Sequence, residues 1–174
     1  MEDLTLHFRE LMHRLTDRND EKALKDMITL IISSKGDKKK LKIIMQLLHD
    51  EKTFILSDTE ILRQQEIQLL RKAALYHVLY ELTRGLAESS KCELDENRLR
   101  EAVADVNLSE LTECIKHVLM CSLQGKQDHI DVVKKVAEEI KLPEKTTPPA
   151  LGVYLVKFIL EEYVHVHNLV REVA

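Results

Sequence analysis

Residues that break or turn a chain are scarce in this sequence, with four glycines and three prolines among 174 positions. An all-β chain or a parallel α/β sheet needs many tight turns, most of them built on those residue types, so both classes fit poorly. An apolar share of 44% and a formal net charge of −4 separate the chain from disordered sequences as well. A chain of this length buries roughly 70% of its extended surface and makes about one domain. The expectation is a single compact all-α domain over residues 1–174, with about eight helices in a bundle or short irregular array.

Apolar spacing lays those helices out. Leu4, Phe8, Leu11 and Leu15 line a first helix over residues 3–16. Asn19 or Asp20 is suited to cap a second, which buries Leu24, Met27, Ile28 and Ile31 and stops at Ser33-Ser34-Lys35-Gly36. A third, over 37–49, turns Leu41, Ile44, Met45 and Leu48 inward. Asp20-x-Lys22-x-Leu24-Lys25 recurs as Asp37-x-Lys39-x-Leu41-Lys42, an offset of one helix and its turn, and no solenoid period follows.

Ser57-Asp58-Thr59-Glu60 reads as a capping box opening a helix over 58–84. Its apolar residues form two stripes: Leu62, Leu69, Ala73, Tyr76 and Tyr80 on one side, Ile67, Leu70, Ala74 and Val78 on the other. Such a helix is either sandwiched inside the fold or shows its second stripe to a partner. Shorter helices are expected over 95–106, 109–123 and 128–141, and the proline-rich break at 143–149 precedes a last helix over 149–172. Leu151, Leu155, Phe158, Ile159, Val166 and Leu169 cover one face of it, and Val153, Val156, Leu160 and Val164 much of the other. A helix apolar nearly all round belongs at the centre, so the C-terminal segment should carry the core.

The residues that could carry chemistry are few. Phosphate-binding glycine loops and the GxSxG, HExxH and CxxC motifs are absent from the sequence. The Glu-x-x-His pairs Glu10/His13 and Glu162/His165 match the spacing of carboxylate-bridged di-iron bundles. Glu10 and His13, however, fall opposite the apolar face of their helix. Cys114, His117 and Cys121 would span about 10 Å on one straight helix, too far to converge on one ion. No metal, no cofactor and no internal disulfide are therefore expected. Three cysteines without a pairing pattern point to a reducing, cytoplasmic or nuclear setting, and the acidic start Met1-Glu2-Asp3 is unlike a secretion signal.

Two features point instead to binding. Lys35, Lys38, Lys39, Lys40 and Lys42 gather at a helix start, where the macrodipole disfavours positive charge. An acidic protein surface would offset that repulsion. A pI near 6.1 and the lack of interleaved aromatics argue against nucleic acid. Glu162, set among Phe158, Ile159, Val166 and Leu169, must find a cation or donors, and with His165 it marks a buried polar site.

The sequence therefore favours a non-enzymatic protein–protein interaction module, an adaptor or regulatory scaffold without a membrane span. It would use a helix groove or an apolar patch such as Ile67, Leu70 and Val78, together with the lysine cluster. Its partner is expected to be another, acidic protein or a second copy of the chain. The competing assignment is a helical enzyme or small-ligand carrier whose site assembles from His77, Tyr80, Glu162 and His165. One enclosed pocket lined by three of these four would favour it.

Overall fold

A computed structural model describes residues 2–18, 21–57, 67–124, 128–145 and 147–173. Among them the chain forms eight helices and one further single turn: α1 (Glu2–Arg18), α2 (Glu21–Ser33), α3 (Lys38–Ser57), α4 (Ile67–Glu88), α5 (Glu96–Ala104), α6 (Leu108–Ile115), the short α7 (Met120–Leu123), α8 (Asp128–Glu139) and α9 (Pro148–Val173). The all-α class is as expected. No helix among the described residues is long and apolar enough to cross a membrane.

The fold is organised around α4 and α9, which pack on each other. Helix α4 is flanked by α2, α3 and α7, and α9 by α2, α7 and α8. As its pattern requires, α9 buries Leu151, Leu155 and Phe158 on one side and Val156, Leu160 and Val170 on others. Its partner does the same with both stripes. Leu70, Ala74 and Val78 are 4%, 0% and 0% exposed, and Ile67 packs half-buried against the same core. The second stripe is therefore the inside of a sandwich. Leu70 and Val78 are core residues, which corrects their assignment to a partner surface.

The ends of the helices follow local chemistry. Gly36, with φ near +90°, makes the turn between α2 and α3 that a Cβ would strain. Asp95 and Asn107 cap α5 and α6 through their side-chain oxygens. The α8 C-terminus is held by Lys157, whose ammonium donates to the carbonyls of Ala137 and Ile140. Tyr154 donates to the Pro143 carbonyl and fixes the following linker to α9.

Three elements differ from expectation. Helix α3 continues past His49 because no breaker intervenes and Ile55 still reaches the core. Ser57 closes that helix, its hydroxyl donating to the Phe54 carbonyl, and the rest of the capping box lies outside the described residues. So do the Asn19 and Asp20 caps. The helix expected over 109–123 is broken: tight i to i+3 bonds join Ile115, His117 and Val118 to Val118, Met120 and Cys121. Val118, Leu119, Met120 and Cys121 are all buried, and a straight surface helix cannot bury four consecutive side chains. The turn also seats Met120 against Gly85 of α4, where a Cβ would lie 2.7 Å from the Met120 methyl carbon.

That turn corrects the reading of the cysteines. Cys121 is disulfide-bonded to Cys92 in the loop between α4 and α5, and Cys114 alone is free. A separation of 29 residues hid this pairing, because only the tertiary fold brings the two segments together. The inference of a reducing compartment from unpaired cysteines loses its ground.

Leu160 of α9 lies in the hydrophobic core with 0% exposure. Leu160→Ala should lower unfolding stability by about 2–5 kcal/mol, whereas Asn168→Ala on the exposed side of α9 should change it by less than about 0.5 kcal/mol. Deleting residues from 149 onward should abolish the cooperative transition. Denaturant unfolding of the three variants checks this.

Candidate functional site

The basic segment begins where Asp37 caps α3, its Oδ1 accepting the Lys40 amide at 3.2 Å. That carboxylate relieves part of the unfavourable placement of the lysines at a helix N-terminus. All five side chains of Lys35, Lys38, Lys39, Lys40 and Lys42 are exposed, and none forms an ion pair among the described residues. Several arginines behave differently: Arg71, Arg84, Arg98 and Arg100 each meet at least one carboxylate. On the helical wheel Phe54 lies within about 60° of Lys39 and Lys40, roughly 22 Å along the α3 axis. Phe54 is 68% exposed and Leu56 41%, making this end of the helix an apolar tip. The outer face of α3 thus runs from exposed ammonium groups to an exposed aromatic ring.

Glu162 finds the cation that its position demands. Its Oε1 accepts from Arg71 Nη1 at 3.3 Å and its Oε2 faces His165 Nδ1 at 3.2 Å. Arg71 also pairs with Glu161 and stacks over the Phe158 ring, 4.1 Å from its centroid. His165 Nε2 lies 3.0 Å from Glu21 Oε1 of α2. With a carboxylate on each ring nitrogen the imidazole is held doubly protonated, and its pKa rises to about 9, chiefly through the bond to Glu162. The group forms a clasp joining α2, α4 and α9 at the edge of a cleft of ≈ 330 Å³.

His77 occupies a separate cleft of ≈ 170 Å³ with Lys52, Leu56, Thr112 and Leu155. Lys52 Nζ lies 3.4 Å from Nδ1, which must therefore accept. Nε2 then carries the proton and donates to Thr112 Oγ1 at 3.3 Å, and the Thr112 hydroxyl donates in turn to the Leu108 carbonyl. Every donor in this chain has an acceptor only when His77 is neutral. Burial, with Lys52 adding to it, depresses the His77 pKa to about 3. One turn further, Glu81 is buried with Arg84 Nη1 3.7 Å away and its Oε2 without a hydrogen-bond partner among the described residues. Burial raises its carboxyl to about 7.

The four residues of the competing assignment do not share a pocket. Glu162 and His165 line one cleft and His77 another, while Tyr80 packs against His49 and lies beneath Lys52. Glu10 and His13 are exposed on α1. Cys114 is buried in α6, donates to the Leu111 carbonyl, and has its thiol pushed up to about 11 by burial, so it is inert at neutral pH. The partners Arg71, Glu21, Lys52 and Thr112 were not singled out from sequence, since each comes from a different helix at long separation. No family model, curated protein or solved structure matches this chain.

Two pH dependences follow. His165 has a folded pKa above its ordinary 6.5, so the clasp contributes fully below pH 6.5 and is lost as pH rises through about 9. His165→Gln should flatten the loss of stability over that interval, measured as urea midpoint against pH. Glu81 holds a proton in the fold that the unfolded chain releases near 4.5, so its contribution falls as pH rises from there to about 7. Glu81→Gln should remove that slope and be at least as stable as wild type at pH 8.

Proposed function

We propose that this chain is a non-enzymatic protein–protein interaction module whose outer α3 face docks an acidic segment of another protein. The observation that carries this is the set of five exposed ammonium groups at one helix end, none paired among the described residues. Like charges crowded at a helix N-terminus repel one another and the macrodipole, and carboxylates from a partner relieve both. Exposed lysines steer encounter and contribute little anchoring energy. The anchor is assigned to Phe54 and Leu56, whose apolar surface lies at the far end of the same helix. These replace Leu70 and Val78 as the apolar part of the interface.

The enzyme or carrier assignment has less support. Glu162 and His165 are occupied by Arg71 and Glu21, and His77 is committed at both nitrogens. Groups tied to internal partners are poorly placed to exchange protons with a substrate.

Partners captured from cell extract, then purified, allow the test. Association rate and its salt dependence are measured for wild type, for Lys38→Glu/Lys39→Glu/Lys40→Glu, and for a control reversal of the exposed Lys134 and Lys135 on α8. The triple reversal should slow association roughly tenfold or more and remove much of the salt dependence, since exposed charges are screened within about 10 Å at 0.1 M salt. The control should do neither, and Phe54→Ser should raise the dissociation rate. An unchanged rate and salt slope in the triple variant would refute the assignment.

A further inference from the structure

Cys92, Cys121 and His129 reach one point from three segments: the loop between α4 and α5, the turn α7, and the start of α8. Their sulfur and imidazole nitrogen atoms all lie within 4.8 Å of one another, with Cys121 buried and the other two half-buried. In the structure the two sulfurs are joined as a disulfide. We propose that, when this bond is reduced, Cys92, Cys121 and His129 form a binding site for a soft divalent cation of the zinc type, so that metal and disulfide are alternative states of the same three residues.

The donor chemistry and the geometry agree. Two thiolates and one imidazole, with water in the fourth position, are a recognised tetrahedral set for zinc. Bonds of about 2.3 Å to sulfur and 2.0–2.1 Å to nitrogen put tetrahedral ligands roughly 3.5–3.8 Å apart. The imidazole nitrogen lies within 4.8 Å of both sulfurs, and reduction frees the bonded sulfurs to separate into that range. Residues from three segments need no helix long enough to span the ion, which was the obstacle for Cys114, His117 and Cys121. Cys114 stays outside the site, its thiol turned to the Leu111 carbonyl.

The two states exclude each other because sulfurs bonded to each other carry no thiolate charge to give a metal. Reduction adds two electrons and two protons from a thiol reductant, which leaves as its own disulfide. Binding the cation then releases the two thiol protons. In the reverse direction a small disulfide oxidant takes two electrons from the metal-bound thiolates and two protons from water, becoming two thiols. The protein disulfide closes and the cation departs unchanged in oxidation state. Either state ties the α4–α5 loop to α7, and only the reduced, metal-free chain lacks the tie.

The full chain, reduced with a phosphine and freed of reductant without air, is titrated with Co2+. One equivalent should produce thiolate-to-cobalt charge-transfer bands and the intense visible bands of tetrahedral Co2+, and Zn2+ should abolish both. The oxidised chain, Cys92→Ser and Cys121→Ser should give neither, and Cys114→Ser should behave as wild type. His129→Ala should bind at least about tenfold more weakly. Because a cysteine variant could lose its fold, alkylation of reduced wild-type protein is mapped in parallel, and Zn2+ should protect Cys92 and Cys121 but not Cys114. The proposal is overturned if the reduced wild type shows no tetrahedral cobalt spectrum, if that spectrum persists in both cysteine variants, or if Zn2+ leaves Cys92 and Cys121 unprotected.

Discussion

Two helices in this chain are apolar on more than one side and keep only a narrow polar stripe, and the arrangement of the others follows from covering them. Tyr76, Val78 and Leu79 of α4 and Leu160, Tyr163 and Val166 of α9 are all fully buried. Neither helix could sit at a surface without exposing a stripe of that kind to water, at about 25 cal/mol per Å² of apolar area. Packed on each other they bury one side each, and α2, α3, α7 and α8 cover most of the rest of their apolar surface. Small residues set the spacing where the layers are tight. Ala73 and Ala74 lie in the α4 core, and Gly85 lets Met120 of α7 approach the helix backbone.

Helices buried over most of their surface also bury some of the polar residues they carry, and the two charged clusters are that consequence. Glu162 and Glu81 have almost no access to water, so each depends on what the neighbouring helix supplies. Glu162 receives Arg71 and His165 and acts as an ionic clasp across three helices. Glu81 has Arg84 3.7 Å away, and burial outweighs the pull of that cation and of Lys52, so it holds its proton. Removing one partner of the first group would strand a buried charge, whereas neutralising the second removes an unmet cost. His77 solves the same problem by staying neutral between a donor and an acceptor.

Helix periodicity made most of the fold legible: the central C-terminal helix, the two stripes of α4 and the break before α9 all follow from apolar spacing and proline placement. What it could not convey lies at longer range. Leu70 and Val78 read equally well as core or as interface, because a stripe does not say what covers it. The split between α6 and α7 has no glycine or proline to signal it and arises from burial of Val118 through Cys121. The position of Glu162 demanded a cation, yet Arg71 lies 91 residues away and could be named only from the fold. The Cys92–Cys121 pair is illegible for the same reason, because spacing groups Cys121 with Cys114 and His117 and says nothing of Cys92. The lysine cluster was plain as a charge run, whereas Phe54, beyond the expected end of its helix, was assigned no role.

The fold divides into an inward α4–α9 frame and an outward α3 face, on which Lys38, Lys39, Lys40 and Lys42 are exposed without ion-pair partners among the described residues. Native-state amide hydrogen exchange tests that division most directly, since slowly exchanging amides mark the elements that open only when the whole domain unfolds. The buried segments of α4 and α9 should exchange with the free energy of global unfolding, while amides in the first turn of α3, from Lys38 to Lys42, should exchange through smaller local openings. If α4 or α9 opened locally while α1 and α2 held the slowest amides, the core would lie outside the α4–α9 pair.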